Sequence, residues 1–227
     1  MQQTSDLYKQ IWAGNHWAES KINIAGTDYG EDTIVSMSTT GGLFADGSMS
    51  IGGATAKQID LSLWNAPATL PRTAKLIPYY RIANGTQTSE WIQKGVYYID
   101  TRTVDSGVLT IHGYDDMIKA DQIWTPSASQ TFPMPMEDAV EAIAELMGVE
   151  IDPRTQVANY TITKPDIGVT ARNILQYIAV ASVGNWIMSD EGKLLLVRLG
   201  DIPEETYLLV DEDGDAISFG GDFILVG

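Results

Sequence analysis

Residues 90–114, EWIQKGVYYIDTRTVDSGVLTIHGY, decide the fold class. Trp91, Ile92, Val96, Tyr97, Tyr98 and Ile99 lead to a polar break at Asp105-Ser106-Gly107, after which Val108, Leu109, Thr110 and Ile111 resume an apolar, β-branched run. That is the pattern of strand, turn and strand. A lone hairpin cannot bury its own apolar face, so other strands must cover it. Upstream, strand candidates at 21–25, 33–37, 48–51, 57–64 and 74–82 are separated by turn residues at Gly26, Gly30, Gly41-Gly42, Asp46-Gly47, Gly52-Gly53, Pro67, Pro71 and Asn84-Gly85. Asn84-Gly85 is the strongest single hairpin signal, because both residues tolerate positive φ. Strands at this spacing predict an antiparallel barrel or sandwich. Ahead of them, Leu7, Tyr8, Ile11 and Trp12 follow the capping candidates Thr4 and Ser5, so a short helix is expected, ending at Gly14-Asn15.

The pattern changes after Trp124, where residues 125–129 (TPSAS) read as a loop. A helix follows: Met136, Val140, Ile143 and Met147 keep one apolar face, Glu137, Asp138, Glu141 and Glu145 the other, and Gly148 supplies a left-handed stop. A second helix is capped by Thr170, carries Ile174, Leu175, Ile178 and Ala181 on its apolar face, and is expected to end at Gly184. Residues 185–188 and 194–197 then flank Ser189-Asp190-Glu191-Gly192 as a hairpin. The two helices are expected to pack through Ile143, Met147, Ile174 and Ile178 against the hairpin residues Trp186 and Leu195. Short strands resume at 207–210, 216–219 and 223–226. Because the chain ends on an apolar strand candidate, a piece of a longer protein is expected.

With 227 residues, 44% of them hydrophobic, the chain can bury a sizeable core. Its lack of cysteine excludes disulfides and thiolate metal sites, which suits a cytoplasmic or virion setting. There is no basic leader with an apolar run behind it, and no apolar stretch of membrane-spanning length. The net charge of -16 is uneven: 13 acidic and 9 basic residues up to Ser129, against 17 and 5 from Gln130 onward. No Lys or Arg follows Gly200, which argues against a phosphate-binding surface there. The acidity serves either solubility or a specific repulsion.

The chain shows no catalytic motif. His112, with Asp115 and Asp116 behind it, could be drawn as a base and its orienter. Neither His16 nor His112 belongs to a known catalytic frame, so a structural histidine at a strand end is the better reading, with Asp115-Asp116 capping a helical turn over 117–121. Asp211, Asp213, Asp215 and Asp222 imitate a calcium loop, but Ala216 stands where glycine is required and Asp222 where a bidentate Glu is; a turn explains them better. The six tryptophans with Tyr79, Tyr80, Tyr97 and Tyr98 could suggest a sugar-stacking surface, yet neighbouring strand residues point to opposite faces and packing is the default. Gly41-Gly42 and Gly52-Gly53 lack the Gly-Lys-Ser/Thr of a phosphate loop. Catalytic, cofactor and metal residues are therefore assigned to none of these positions.

The phrases GGLFADGSMSIGGATAKQIDLSLW, IPYYRI, SEWIQKGVYYIDTR, GVLTIHGYDDMIKAD and ARNILQYIAVASVGNWIMSDEGKLLLV carry a family resemblance. Over about residues 22–197 the chain resembles the N-terminal part of baseplate or tail-tip hub proteins of phages and prophages from Gram-positive gut bacteria. The resemblance implies a mainly β fold with an α+β insertion: an N-terminal helical arm (1–20), a tail-hub-type β-barrel (21–124), an inserted helix-helix-hairpin unit (132–199) and strands beginning a second β domain (200–227). It implies a non-enzymatic structural part of the virion tail, assembled in the bacterial cytoplasm, linking tail tube to tip and forming part of the DNA conduit without specific nucleic-acid binding. Implied partners are the distal tail, tape measure and tip or fibre proteins, and the chain itself as a homotrimer in its full-length parent. The alternative from another class is a cell-wall-directed hydrolase or glycan-binding module, which needs paired carboxylates or an aromatic platform in a cleft.

Overall fold

The computed structural model describes residues 4–44, 48–66, 70–71, 73–128, 130–165 and 167–200, and four short strands beyond them, Tyr207–Leu208, Ser218–Phe219, Asp222–Phe223 and Leu225–Val226. An N-terminal helix, α1 (Asp6–Trp12), begins as expected on Ser5, whose hydroxyl accepts from the Tyr8 amide at 3.0 Å; Ile11 anchors it. Eight strands follow: β1 (Trp17–Ile24), β2 (Thr27–Tyr29), β3 (Ile34–Thr40), β4 (Gln58–Trp64), β5 (Lys75–Ala83), β6 (Ile92–Gln93), β7 (Tyr97–Asp105) and β8 (Val108–Tyr114). They form one antiparallel sheet in the order β2-β1-β5-β7-β8-β4-β3, with β6 also on β5.

The hairpin that decides the fold is β7–β8. Asp105 pairs with Val108 across Ser106 and Gly107, both at positive φ, so the two-residue turn matches the twist of its strands. Its first half differs from the sequence reading. Gly95, at φ +120, interrupts the run, so Ile92-Gln93 pairs with β5 as β6, Tyr97 pairs with Leu76 of β5, and only Tyr98 onward pairs with β8. Asn84-Gly85 makes its turn, the Asn84 side chain accepting from the Thr86 and Gln87 amides.

Ile22 and Ile24, Ile59, Leu61 and Leu63, Leu76, Tyr97 and Ile99, and Leu109 and Ile111 come from five strands yet share one core, so the sheet curls around its own apolar face. Its end strands β2 and β3 are joined by a turn at Gly30, whose carbonyl accepts from the Thr33 and Ile34 amides; among the described residues no ladder joins them, and the sheet is open.

A 3₁₀ helix (Asp116–Asp121), β9 (Met134–Pro135), α2 (Met136–Met147), β10 (Thr161–Ile162), α3 (Ala171–Ala181) and the hairpin β11 (Gly184–Met188) with β12 (Leu194–Arg198) build a second core. Gly148 ends α2 in the left-handed region, and Thr170 caps α3 in a reciprocal box with Asn173. The stop of α3 is different: Val183 takes the left-handed conformation, and Gly184 opens β11, where a Cβ would stand 2.7 Å from the Val197 carbonyl. Ile143, Met147, Ile174, Ile178 and Trp186 meet as expected, but Leu195 does not join them. Strand alternation sends Leu194 and Leu196 to the helices and Leu195 to the opposite face.

The two cores are sewn together by residues 50–57. Residues 48–51 form no strand; the following glycines instead bring the backbone onto β11. The Gly52 amide donates to the Gly184 carbonyl at 2.9 Å, the Trp186 amide to Gly53 at 2.8 Å, and Ala54 bridges Trp186 in parallel. Ile151 bridges Leu194 on the other side, so both edges of the hairpin are covered. Gly52 is needed here: it sits at φ +87, and a Cβ would approach Val180 to 2.6 Å.

Candidate functional site

The outer face of the β11–β12 hairpin forms the floor of a groove against the large sheet. Strand β12 reads Leu-Leu-Leu-Val, and a continuous apolar run implies neighbours on both faces. Leu194 and Leu196 meet the helices, whereas Ile187, Leu195 and Val197 line a cavity of about 670 Å³ with Lys57 and Gln93 from the sheet side. Its rim is charged and paired. Arg154 donates to the buried Asp152 through Nε at 2.8 Å and Nη2 at 2.7 Å, and this guanidinium is the main reason the Asp152 carboxyl is held down at about 2. Lys57 faces Asp190 at 3.8 Å, Lys193 pairs with Glu150 at 2.7 Å, and the Gln93 amide donates to the Asp190 carbonyl at 2.6 Å. The arrangement offers an apolar floor with ion-paired walls. It suits an apolar side chain or short segment rather than acid-base chemistry, which requires carboxyls pushed apart in pKa and facing one space.

Among the described residues, the carboxyl raised strongly by burial is Asp115, to about 6, and it is enclosed. Its two oxygens accept from the Lys57 and Met117 amides, both at 3.1 Å, so it caps the 3₁₀ helix as expected and fastens the start of β4. Asp116 pairs with Lys119 at 2.7 Å. Neither orients His112. That ring turns to Asp60 on the adjoining strand, Nδ1 to Oδ1 2.8 Å, with Tyr114 edge-on at 4.9 Å, on the open outer face of the sheet. His16 contacts the Gly14 carbonyl at 2.9 Å and the Trp12 ring. Asp211, Asp213 and Asp215 lie outside the described residues, and Asp222 is placed only as the start of a short strand. Among the described residues no three His, Cys, Asp or Glu side chains group to hold a metal.

The aromatic residues divide. Trp124, Trp186 and Tyr97 are core, while Trp12, Trp17 and Trp64 are more than half exposed. Tyr8 stacks on Trp12, its hydroxyl lies 2.9 Å from that of Tyr80, and Trp91 is flanked by Lys21 and Arg81. Tyr97 and Tyr98 take opposite faces, as strand geometry requires. The groove escaped the sequence reading because its lining comes from four separate stretches; the Leu-Leu-Leu-Val run was its only signal.

The fold is one found in phage tail proteins. It resembles the 43 kDa tail protein of prophage MuSo2 from Shewanella oneidensis (TM-score 0.52, 13% identity, 82% of this chain and 57% of that chain). It also resembles the tail protein from Neisseria meningitidis MC58 (TM-score 0.50, 14% identity, 79% of this chain and 51% of that one). The chain thus spans little more than half the length of either structure. No protein-family model and no curated protein sequence matches it at significance.

Proposed function

We propose that this chain is a structural subunit of a phage or prophage tail, part of a tail-tip or baseplate hub that links tail tube to tip and forms part of the DNA conduit. The observation that carries the reading is the shared fold: about four-fifths of the chain superposes on tail proteins, across both the sheet and the helical unit. In this reading residues 21–124 are the hub's β-barrel, the open sheet closing in the assembly, 132–199 are its insertion, and 200–227 open a second β domain. The sequence phrases that resemble tail-tip hubs support the position at the tip. The full-length parent is a homotrimer in contact with distal tail, tape measure and tip proteins, and the role is mechanical rather than catalytic.

The test is genetic and visual. Deleting the coding region from an inducible prophage is expected to leave particles without completed tails, and antibodies against the chain are expected to decorate the distal end of wild-type tails. Normal infectious virions from the deletion, or label confined to the capsid, would reject the reading. Release of soluble fragments from purified peptidoglycan, abolished by a single carboxylate substitution, would replace it with the hydrolase alternative.

A further inference from the structure

Of the seven asparagines in the chain, only Asn84 is followed by glycine. The turn between β5 and β6 gathers three donors on its side-chain oxygen. The Thr86 amide lies 3.3 Å from Asn84 Oδ1, the Thr86 hydroxyl 3.1 Å and the Gln87 amide 3.0 Å. The turn is fastened around this cluster: the Asn84 amide donates to the Gln87 carbonyl at 3.1 Å, Ala83 bridges Thr88, and the Ser89 amide donates to the Ile82 carbonyl at 2.8 Å. The nitrogens beside the polarised oxygen are free. Among the described residues neither Asn84 Nδ2 nor the Gly85 amide has a hydrogen-bond partner, and residues 85–87 are exposed to water. Gly85, at φ +86, places no side chain over its own nitrogen. A carbonyl oxygen held by three donors, a nucleophile next to its carbon and an unheld leaving group are the parts of an acyl-transfer site.

We propose that Asn84 is a self-modifying site, at which the Gly85 amide displaces ammonia from the Asn84 side chain and water opens the resulting imide. In the first step the Gly85 nitrogen gives its proton to solvent base and bonds to Asn84 Cγ, and the charge developing on Oδ1 is met by the Thr86 and Gln87 donors. The Cγ–Nδ2 bond then breaks, Nδ2 takes a proton from water and leaves as ammonia, and a cyclic imide remains. Water adds at one of two carbons. Cleavage of the Cγ–N bond leaves aspartate at position 84, whereas cleavage at the backbone carbonyl carbon routes the chain through Cγ and lengthens it by one atom. The net change is gain of water and loss of ammonia, without oxidant or reductant, and it adds a carboxylate to a chain already at -16. The aspartate form keeps an oxygen where the three donors point and holds the turn through charge-assisted bonds. The lengthened form loses the spacing that lets Ala83 meet Thr88. Asparagines elsewhere lack one part or another: Asn23 Oδ1 accepts from the Gly26 amide, but its Nδ2 is held by Asp28 at 2.6 Å and the residue after it is the buried Ile24, while Asn185 Nδ2 is held by the Ser50 carbonyl at 2.7 Å. The inference rests on the turn and does not depend on the tail reading.

Peptide mapping by mass spectrometry tests it, on the intact folded chain held for days in mildly alkaline buffer, with anion exchange separating the more acidic product. Conversion of amide to acid at Asn84 is expected to run about tenfold or more faster than at any of the six other asparagines. Thr86→Val keeps the branched shape and removes the hydroxyl donor, so it is expected to slow conversion about threefold with an unchanged melting temperature, and Thr86→Ser to restore the parent rate. In a synthetic peptide of residues 80–90, which lacks the fold, the same two substitutions are expected to change nothing. That contrast separates activation by the turn from the reactivity of any Asn-Gly pair. Conversion at Asn84 no faster than elsewhere, an undiminished rate in Thr86→Val, or an equal effect of that substitution in the peptide would each overturn the proposal.

Discussion

Asp115 and Arg172 are single side chains on which separate elements depend. Burial lifts the Asp115 carboxyl to about 6, against a partial opposing effect of the two amides that donate to it. Between the unfolded value near 4 and about 6, the folded protein holds a proton that the unfolded chain has released. Stability therefore falls as pH rises through that window, and the favourable contribution is complete only below it. Asp115→Asn removes this titration, so the parent is expected to lose ~2 to 3 kcal/mol more than the variant between pH 4 and 7. Urea midpoints at the two pH values measure the difference, and equal slopes for both proteins would show that Asp115 does not titrate there. Arg172, less than a fifth exposed, binds the Ala54 carbonyl, the Met117 carbonyl at 2.9 Å and Asp121 at 2.5 Å, joining α3 to the 50–57 segment and to the 3₁₀ helix. Arg172→Met strands the Ala54 and Met117 carbonyls, while the half-exposed Asp121 carboxylate turns to water, and is expected to cost ~2 to 4 kcal/mol. A midpoint shift below ~0.5 kcal/mol would show water taking its place.

The helices and hairpins carry the lesson about sequence. Elements whose boundaries are set by local chemistry were legible: Ser5 and Thr170 as caps, Gly148 as a left-handed stop and Ser106-Gly107 as a turn each act where their chemistry predicts, and Asn84-Gly85 also turns the chain, though only Gly85 takes positive φ while Asn84 holds the turn through its side-chain oxygen. What escaped was set by distant partners. Residues 48–51 carry alternating apolar residues without becoming a strand, because the glycines after them are held to β11, more than a hundred residues away. Val183 rather than Gly184 turns the chain after α3, because close approach to β12 leaves no space for a side chain at Gly184. Leu195 illustrates the same limit, since a run of four apolar residues does not say which of them faces the helices. The fold class was therefore readable, whereas the groove between sheet and hairpin exists only in three dimensions. Adjacent positions on α3 test the packing. Ile178→Ala, at a fully buried residue of the helical core, is expected to cost ~2 to 5 kcal/mol, while Tyr177→Ala is expected to stay within ~0.5 kcal/mol. Chemical denaturation separates them, and an unmoved midpoint for Ile178→Ala would contradict its place in the core.

Charge belongs to the molecule as a whole. Of 44 formally charged residues, 30 are acidic, and among the described residues ion pairs bring eight of the 14 cations against carboxylates: Lys9 with Asp6, Lys21 with Asp28, Lys57 with Asp190, Arg81 with Glu19, Lys119 with Asp116, Arg154 with Asp152, Arg172 with Asp121 and Lys193 with Glu150. Pairing of this kind reduces the positive potential that would attract a phosphate backbone, while the excess carboxylates remain. A conduit for DNA has the opposite requirement from a DNA-binding surface. Each phosphate neutralised by a lysine or arginine releases counterions and deepens binding, whereas an acidic wall provides no such gain and lets the polymer pass. Proposed as part of a tail conduit, the chain is therefore expected to give no gel retardation of duplex DNA even at ~10 mM salt, where the Debye length is ~30 Å and any attraction is least screened. The same reasoning places carboxylates preferentially on the lumen side of the assembled ring, which a map of the intact tail tip would show. Tight, salt-sensitive retardation would reject the passive conduit. A neutral or basic lumen with no DNA binding would leave the subunit in the tail and turn its acidity into a matter of solubility, because the outer surface would then carry the carboxylates.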